Sequence, residues 1–398
     1  MVQGRKFLRT SGFSRLAVKA VKAKLLYTGR PEPPLRDKYL AFEGPRIVGV
    51  YDEAPEGAEV VLEAEVVTPA FIDGHSHIGM ARSGEPSEEG ETNERFDSIV
   101  ALADALESIY MDDKAFRESV ESGVLYSCVL PGSGNLIGGR AVVIRNYAGN
   151  IRDAFIAYAG VKAALGFNPR RTVEWKGTRP YTRMGAYALL RRRLMEALKA
   201  DELVKIGKKH PAEIDPETEA LIRIVRGVER LRVHVHKADD AYVLLKLKEE
   251  FGLKVTAEHL CDVHEARTFR ALREAGVPIV YGPLDAFPYK VELKHESWRN
   301  VRFLIESGAK FCLMSDHPVT LQRNLYLQLR FLLRSGLQRW EAISKITKEA
   351  AEILGVADKL GTLEEGKWAS FVAWSGDPFS LDSYPVAVYA EGRLVHEE

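Results

Sequence analysis

The sequence predicts an α/β protein: a (β/α)8 barrel over residues 67–357, with a small all-β domain built from residues 1–66 and 358–398. Three observations carry that reading. Strand and helix signals alternate through the middle of the chain, as in a parallel sheet covered by helices. Short strands broken by glycine and proline fill both ends. Histidine or aspartate recurs where the apolar middle strands finish, and that is the end at which such barrels carry their chemistry.

Taken in order, residues 1–27 are basic, with Arg5, Lys6, Arg9, Arg15, Lys19, Lys22 and Lys24. These charges interrupt the apolar residues, so no signal-peptide core forms. Residues 16–26 alternate apolar and polar, which reads as a strand with one solvated face behind a short mobile tail. Residues 39–42, 46–50 and 59–62 read as further strands, punctuated by Gly29-Arg30-Pro31, Gly44-Pro45 and Pro55-Glu56-Gly57. The far end looks the same, with strands at 370–374, 387–390 and 393–396 around a Glu391-Gly392 turn. Neither end has enough strands to be stable alone, so the two are expected to pair.

Between them, strands are predicted at 124–130, 155–161, 231–236, 253–258, 277–281 and 310–314, and helices at 93–108, 185–200, 216–229, 242–251 and 325–333. Residues 140–161 hold either two strands or a hairpin. The chain has 398 residues, 46% apolar and 28% charged, which suits a large globular enzyme rather than a disordered chain. Its 56 basic residues balance 56 acidic ones, so no overall field argues for nucleic acid or a membrane as partner. Cys128, Cys261 and Cys312 are too few and too scattered for a disulfide framework or a Cys-x-x-Cys site. A cytoplasmic enzyme with a small-molecule substrate is expected, and a homo-oligomer is compatible with it.

The most informative stretch is Val66-Val67-Thr68-Pro69-Ala70-Phe71-Ile72-Asp73-Gly74-His75-Ser76-His77. Its composition favours a strand. Side chains alternate along a strand, so His75 and His77 project the same way and both imidazoles can reach one metal ion. Three other strand ends carry matching residues: His234 and His236, His259, and Asp316. His236 lies nearer the carboxyl end of its strand than His234, which reads as a deeper, interior histidine. Asp73 shares the face of His75 and suits a carboxylate that orients an imidazole. His210, His264, His295 and His396 lie in charged stretches and are not expected to bind metal.

These residues resemble the amidohydrolase superfamily, and most closely its imidazolonepropionase-like branch. The resemblance begins with the 69–77 signature. It continues through Leu130-Pro131-Gly132-Ser133-Gly134-Asn135-Leu136-Ile137-Gly138-Gly139, Gly160-Val161-Lys162-Ala163-Ala164-Leu165-Gly166 and His236-Lys237-Ala238-Asp239-Asp240. It ends with Glu258-His259, Ser315-Asp316-His317-Pro318, Gly366-Lys367-Trp368-Ala369-Ser370 and Trp374-Ser375-Gly376-Asp377-Pro378-Phe379. The resemblance implies a barrel set into a β-sandwich and metal ligands at His75, His77, His236, His259 and Asp316. It places Lys162 where related enzymes bridge two metals with a carboxylated lysine. Three positions depart from the pattern: Ala70 stands for a glycine, Ser370 for a common aspartate, and Phe167 where many relatives carry an acidic residue.

Imidazole and carboxylate ligands with an open position suit hydrolytic zinc chemistry, in which the ion lowers the pKa of its water to about 7. Zn2+ is expected, with Mn2+, Fe2+ and Co2+ as alternatives, and one ion is favoured over two. Asp316 is expected to shuttle the proton from water to the leaving nitrogen. His259 either binds the metal or polarises the substrate carbonyl. Asn135, on a glycine-rich loop, Arg183, before a helix, and Lys237 are the expected substrate contacts. The reaction expected is hydrolysis of a C–N bond in a cyclic amide or N-acyl compound. A lactone or phosphoester hydrolase on the same metal site, or a non-catalytic ligand-binding barrel, stays open.

Overall fold

A computed structural model describes residues 17–170, 177 and 179–398. The mobile basic tail expected at the N-terminus lies outside the described residues. Four strands open the chain: β1 (Lys19–Leu26), β2 (Leu35–Glu43), β3 (Arg46–Tyr51) and β4 (Glu59–Pro69). The next four are β5 (Phe71–Ser76), β6 (Val124–Val129), β7 (Ile137–Arg145) and β8 (Phe155–Ala164). They are followed by β9 (Leu231–Val235), β10 (Val255–His259), β11 (Ile279–Tyr281) and β12 (Phe311–Leu313). Three close it: β13 (Phe371–Trp374), β14 (Pro385–Ala390) and β15 (Arg393–Glu397).

Both chain ends unite in one seven-stranded sheet, ordered β15-β14-β13-β4-β1-β2-β3. The junction is the antiparallel pair of β13 with β4, which sets Phe371 opposite Pro69. Side chains alternate across this sheet. Phe371 and Ala373 face a core with Val21, Leu26, Leu40 and Phe42, while Val372 and Trp374 join Val66 and Val388 in the core of the barrel. The expected sandwich is thus a single sheet with apolar partners on both faces. No helix among the described residues is long and apolar enough to cross a membrane.

Strands β5 to β12 form an eight-stranded sheet in sequence order, nearly closed on itself into a barrel with helices around it. All neighbours run parallel except at β7, which is antiparallel to both β6 and β8. Residues 140–161 are therefore the hairpin alternative. The reason is chain length. Only residues 146–154, with the one-turn helix Ile151–Ala154, join β7 to β8, and a parallel crossover needs a dozen or more.

The helix predicted over 93–108 is not formed beyond the 3-10 turn Ala105–Ser108. Carboxylates there bond to nearby amides instead: Glu94 accepts from the Arg95 and Phe96 N–H groups and Asp104 from Leu106 N–H. Such local bonds compete with helix formation. The segment also pairs along β7, with Val100 N–H to Ile137 O and Arg140 N–H to Ala103 O.

Barrel closure depends on Gly74. A Cβ there would lie 2.8 Å from Leu313 O, 2.9 Å from Cys312 Sγ and 2.9 Å from Val280 Cγ1, so only glycine lets β5 approach β12. Three bonds then stitch β5 to the segment after β12: Asp316 N–H to His75 O at 3.0 Å, His77 N–H to His317 O at 3.1 Å, and Ser315 N–H to Asp73 Oδ1 at 2.9 Å. The seam that closes the barrel is also what brings Asp316 to the two histidines.

Candidate metal centre

At this seam Asp316 Oδ1 lies 3.2 Å from His77 Nε2 and 3.5 Å from His75 Nε2. Across the mouth, His234, His236 and His259 form a second group with ring centroids 4.4–4.8 Å apart. The two groups meet where His259 Nδ1 comes within 4.0 Å of Asp316 Oδ2 and the His75 and His259 rings lie 4.8 Å apart. Each group has the donor set and spacing to hold a metal ion. Lys162, fully buried near the end of β8, places Nζ 3.2 Å from His75 Nε2.

The tautomers are fixed by what each ring touches. His77 Nδ1 lies 2.7 Å from Leu130 O and His259 Nδ1 lies 3.0 Å from Gly282 O. A carbonyl oxygen only accepts, so both rings carry their proton on Nδ1 and keep the Nε2 lone pair for a cation. His75 Nδ1 is held 2.9 Å from Glu258 Oε2, so its Nε2 keeps the lone pair, which faces Lys162 Nζ at 3.2 Å. Metal-bound histidines are nearly always oriented by such a partner. Burial pushes four imidazoles down, His75, His234 and His236 well below their usual range and His259 to about 4, so these four are neutral near pH 7.

Burial pushes the Asp316 carboxyl up, but the neighbouring His259, His77 and Lys162 outweigh it and hold it down at about 2. Burial lowers the Lys162 ammonium to about 8, against the pull of Asp316 and Glu258. His259 (φ 74°), Leu260 (φ 59°) and Asp316 (φ 52°) have left-handed backbones. That conformation costs about 1–3 kcal/mol each in a non-glycine residue and is typical of functional sites. A cavity of about 600 Å³ opens over the cluster, lined among others by His77, His234, His259, Lys290, Asp316 and His317.

Several expectations are corrected. Asp73 does not orient an imidazole: it accepts from the backbone N–H groups of His75 and Ser315 and bonds the Ser315 hydroxyl. Glu258 orients His75 instead. His234 is not a separate interior residue, because it stands in the three-histidine group and lines the cavity. Asn135 is buried and donates to Glu94 O and Asp97 O, which pins its loop. Arg183 pairs with Asp240 at 2.6 Å, and Lys237 with Asp262 at 3.3 Å. None of these last three lines the cavity.

The amidohydrolase family profile matches residues 66–395. The chain belongs to the amidohydrolase family. A solved amidohydrolase from Thermotoga maritima is 30% identical and superposes with a TM-score of 0.88, over 95% of this chain and 100% of that one. The amidohydrolase tasK of Hapsidospora irregularis is 27% identical over 375 residues, 87% of this chain, which spans only 38% of that relative's length. An imidazolonepropionase from Bradyrhizobium diazoefficiens is 26% identical over 84% of this chain and 86% of its own. A prolidase solved with N-methylphosphonate-L-proline, 14% identical with a TM-score of 0.61, shares the fold. This amidohydrolase is similar to the imidazolonepropionase-like branch of a family that is generally metal-dependent.

Proposed function

We propose that this amidohydrolase binds one divalent ion, Zn2+ ahead of Mn2+, Fe2+ or Co2+, through His75, His77, His236, His259 and Asp316. With it the enzyme hydrolyses a cyclic amide or an N-acyl compound. The observation that carries the reading is the set of three imidazoles, His75, His77 and His259, whose Nδ1 atoms are held by Glu258, Leu130 O and Gly282 O, with the Nε2 atoms of His75 and His77 at 3.5 and 3.2 Å from Asp316 Oδ1. When bound, such an ion supplies Lewis acidity toward water and a carbonyl oxygen. Asp316, kept ionised, accepts a proton at a carboxylate oxygen and returns it to the leaving nitrogen. His259 enters as a ligand and not as a donor to the substrate, because its one proton is committed to Gly282 O. The cavity of about 600 Å³ suits a small-molecule substrate. Buried free thiols at Cys128, Cys261 and Cys312 support a reducing, cytoplasmic setting.

A panel of cyclic amides, N-acyl amino acids, lactones and phosphotriesters tests the reaction class, with turnover expected in the first two. Turnover of only the lactones or phosphotriesters contradicts the proposal. Two ions would need a bridging anion, which carboxylation of the Lys162 amine could supply. The one-ion reading expects about one metal per chain in protein grown with zinc and bicarbonate, unchanged in Lys162→Ala. A ratio near two that falls in Lys162→Ala overturns it.

A further inference from the structure

Glu292 is a buried carboxylate that the expected ligand set leaves out. It sits in the short turn Val291–Leu293 on the segment after β11 and is 2% exposed. Its Oε1 accepts from Lys290 Nζ at 2.8 Å and lies 3.2 Å from His234 Nε2. Its Oε2 accepts from Phe167 N–H at 2.9 Å. The seat is built for it: Gly166 has φ +82°, and a Cβ there would lie 2.7 Å from Glu292 Oε2.

The two histidines of β9 differ in how they are held. His234 has a carboxylate on Nε2, as His75 has Glu258 on Nδ1. His236 Nε2 stands 4.0 Å from the same Glu292 oxygen, beyond hydrogen-bond distance, and its Nδ1 has no partner. His234 Nδ1 is likewise buried without a partner. An imidazole that donates one N–H to a carboxylate keeps its other nitrogen as a lone pair for a cation.

We propose that Glu292 is a positioning residue of the metal centre: it fixes His234 through Nε2, leaves Nδ1 as that ring's lone pair, and so adds His234 to the ion-binding residues. It supplies from the segment after β11 the acidic group that Phe167 does not supply after β8. This inference rests on the metal-centre reading above and extends it to a residue that reading omits.

The test compares Glu292→Gln, Glu292→Asp, His234→Ala and the double variant Glu292→Gln/His234→Ala. Zinc affinity is read by chelator competition, the visible spectrum after Co2+ loading, and folding by circular dichroism. Glu292→Gln is expected to keep its fold, bind zinc about 10–100-fold more weakly and shift the Co2+ spectrum, with Glu292→Asp in between. His234→Ala is expected to lose affinity at least as much, and the double variant no more than His234→Ala alone. Wild-type affinity and spectrum in Glu292→Gln, or losses that add in the double variant, overturn the inference. If Glu292→Gln does not fold, wild-type affinity in His234→Ala overturns it equally. Zinc lost in His75→Ala but retained in both Glu292→Gln and His234→Ala rejects this inference alone. Zinc retained in His75→Ala rejects the metal-centre reading itself.

Discussion

His75→Ala is expected to leave the protein folded and without its ion, with kcat/KM reduced about a thousand-fold or more. His75 contributes an Nε2 lone pair 3.5 Å from Asp316 Oδ1 and is fully buried, so water cannot readily take its place. A metal ion contributes several kcal/mol of transition-state stabilisation, and each 1.36 kcal/mol is a factor of ten. The fold should survive because the seam bonds at this point are backbone bonds, Asp316 N–H to His75 O among them. Arg232 also keeps its ion pair with Glu258, at 3.1 Å, in the barrel interior. Elemental analysis beside circular dichroism checks both halves. An active His75→Ala protein with a full complement of metal contradicts the assignment.

The second large effect is expected at Asp316→Asn, with kcat reduced about 10²–10⁴-fold, the usual contribution of a positioned acid–base group. Asparagine keeps the shape and one oxygen acceptor but cannot accept the proton. Most of the metal should remain, since the three Nε2 donors of His75, His77 and His259 are untouched. Proportionate losses of metal and activity would instead show that Asp316 acts as a ligand only. Steady-state kinetics on metal-loaded protein separates the outcomes.

The residues proposed as ligands on one side of this centre come together as their sequence suggests because strand chemistry is periodic. His75 and His77 face one way as the residues of a pleated strand must, and Asp316 follows the last strand of the barrel. Glu258 was harder to assign. It directly precedes His259, so simple alternation would turn it away from the centre, yet both residues reach it because His259 adopts φ 74°. A charged residue inside an otherwise apolar strand was the signal that could have found it. Glu292 had no such signal, for it lies in an irregular segment without periodicity.

The three expected substrate contacts stand outside the cavity lining for a related reason. Arg183 is claimed by Asp240, 57 residues away in the chain, and Lys237 by Asp262, 25 residues away. Local sequence does not report such partners. The antiparallel β7 was only half legible: the short connection to β8 allowed a hairpin, but the alternating βα pattern on either side favoured a uniform parallel repeat.

The most direct measurement of the central claim is turnover of a cyclic amide or N-acyl substrate by one preparation before chelation, after chelation, and after return of zinc. Activity is expected to fall to background when the ion is removed and to recover in proportion to zinc added, saturating near one ion per chain. A metal-free protein that hydrolyses the substrate as fast as the loaded one contradicts the account.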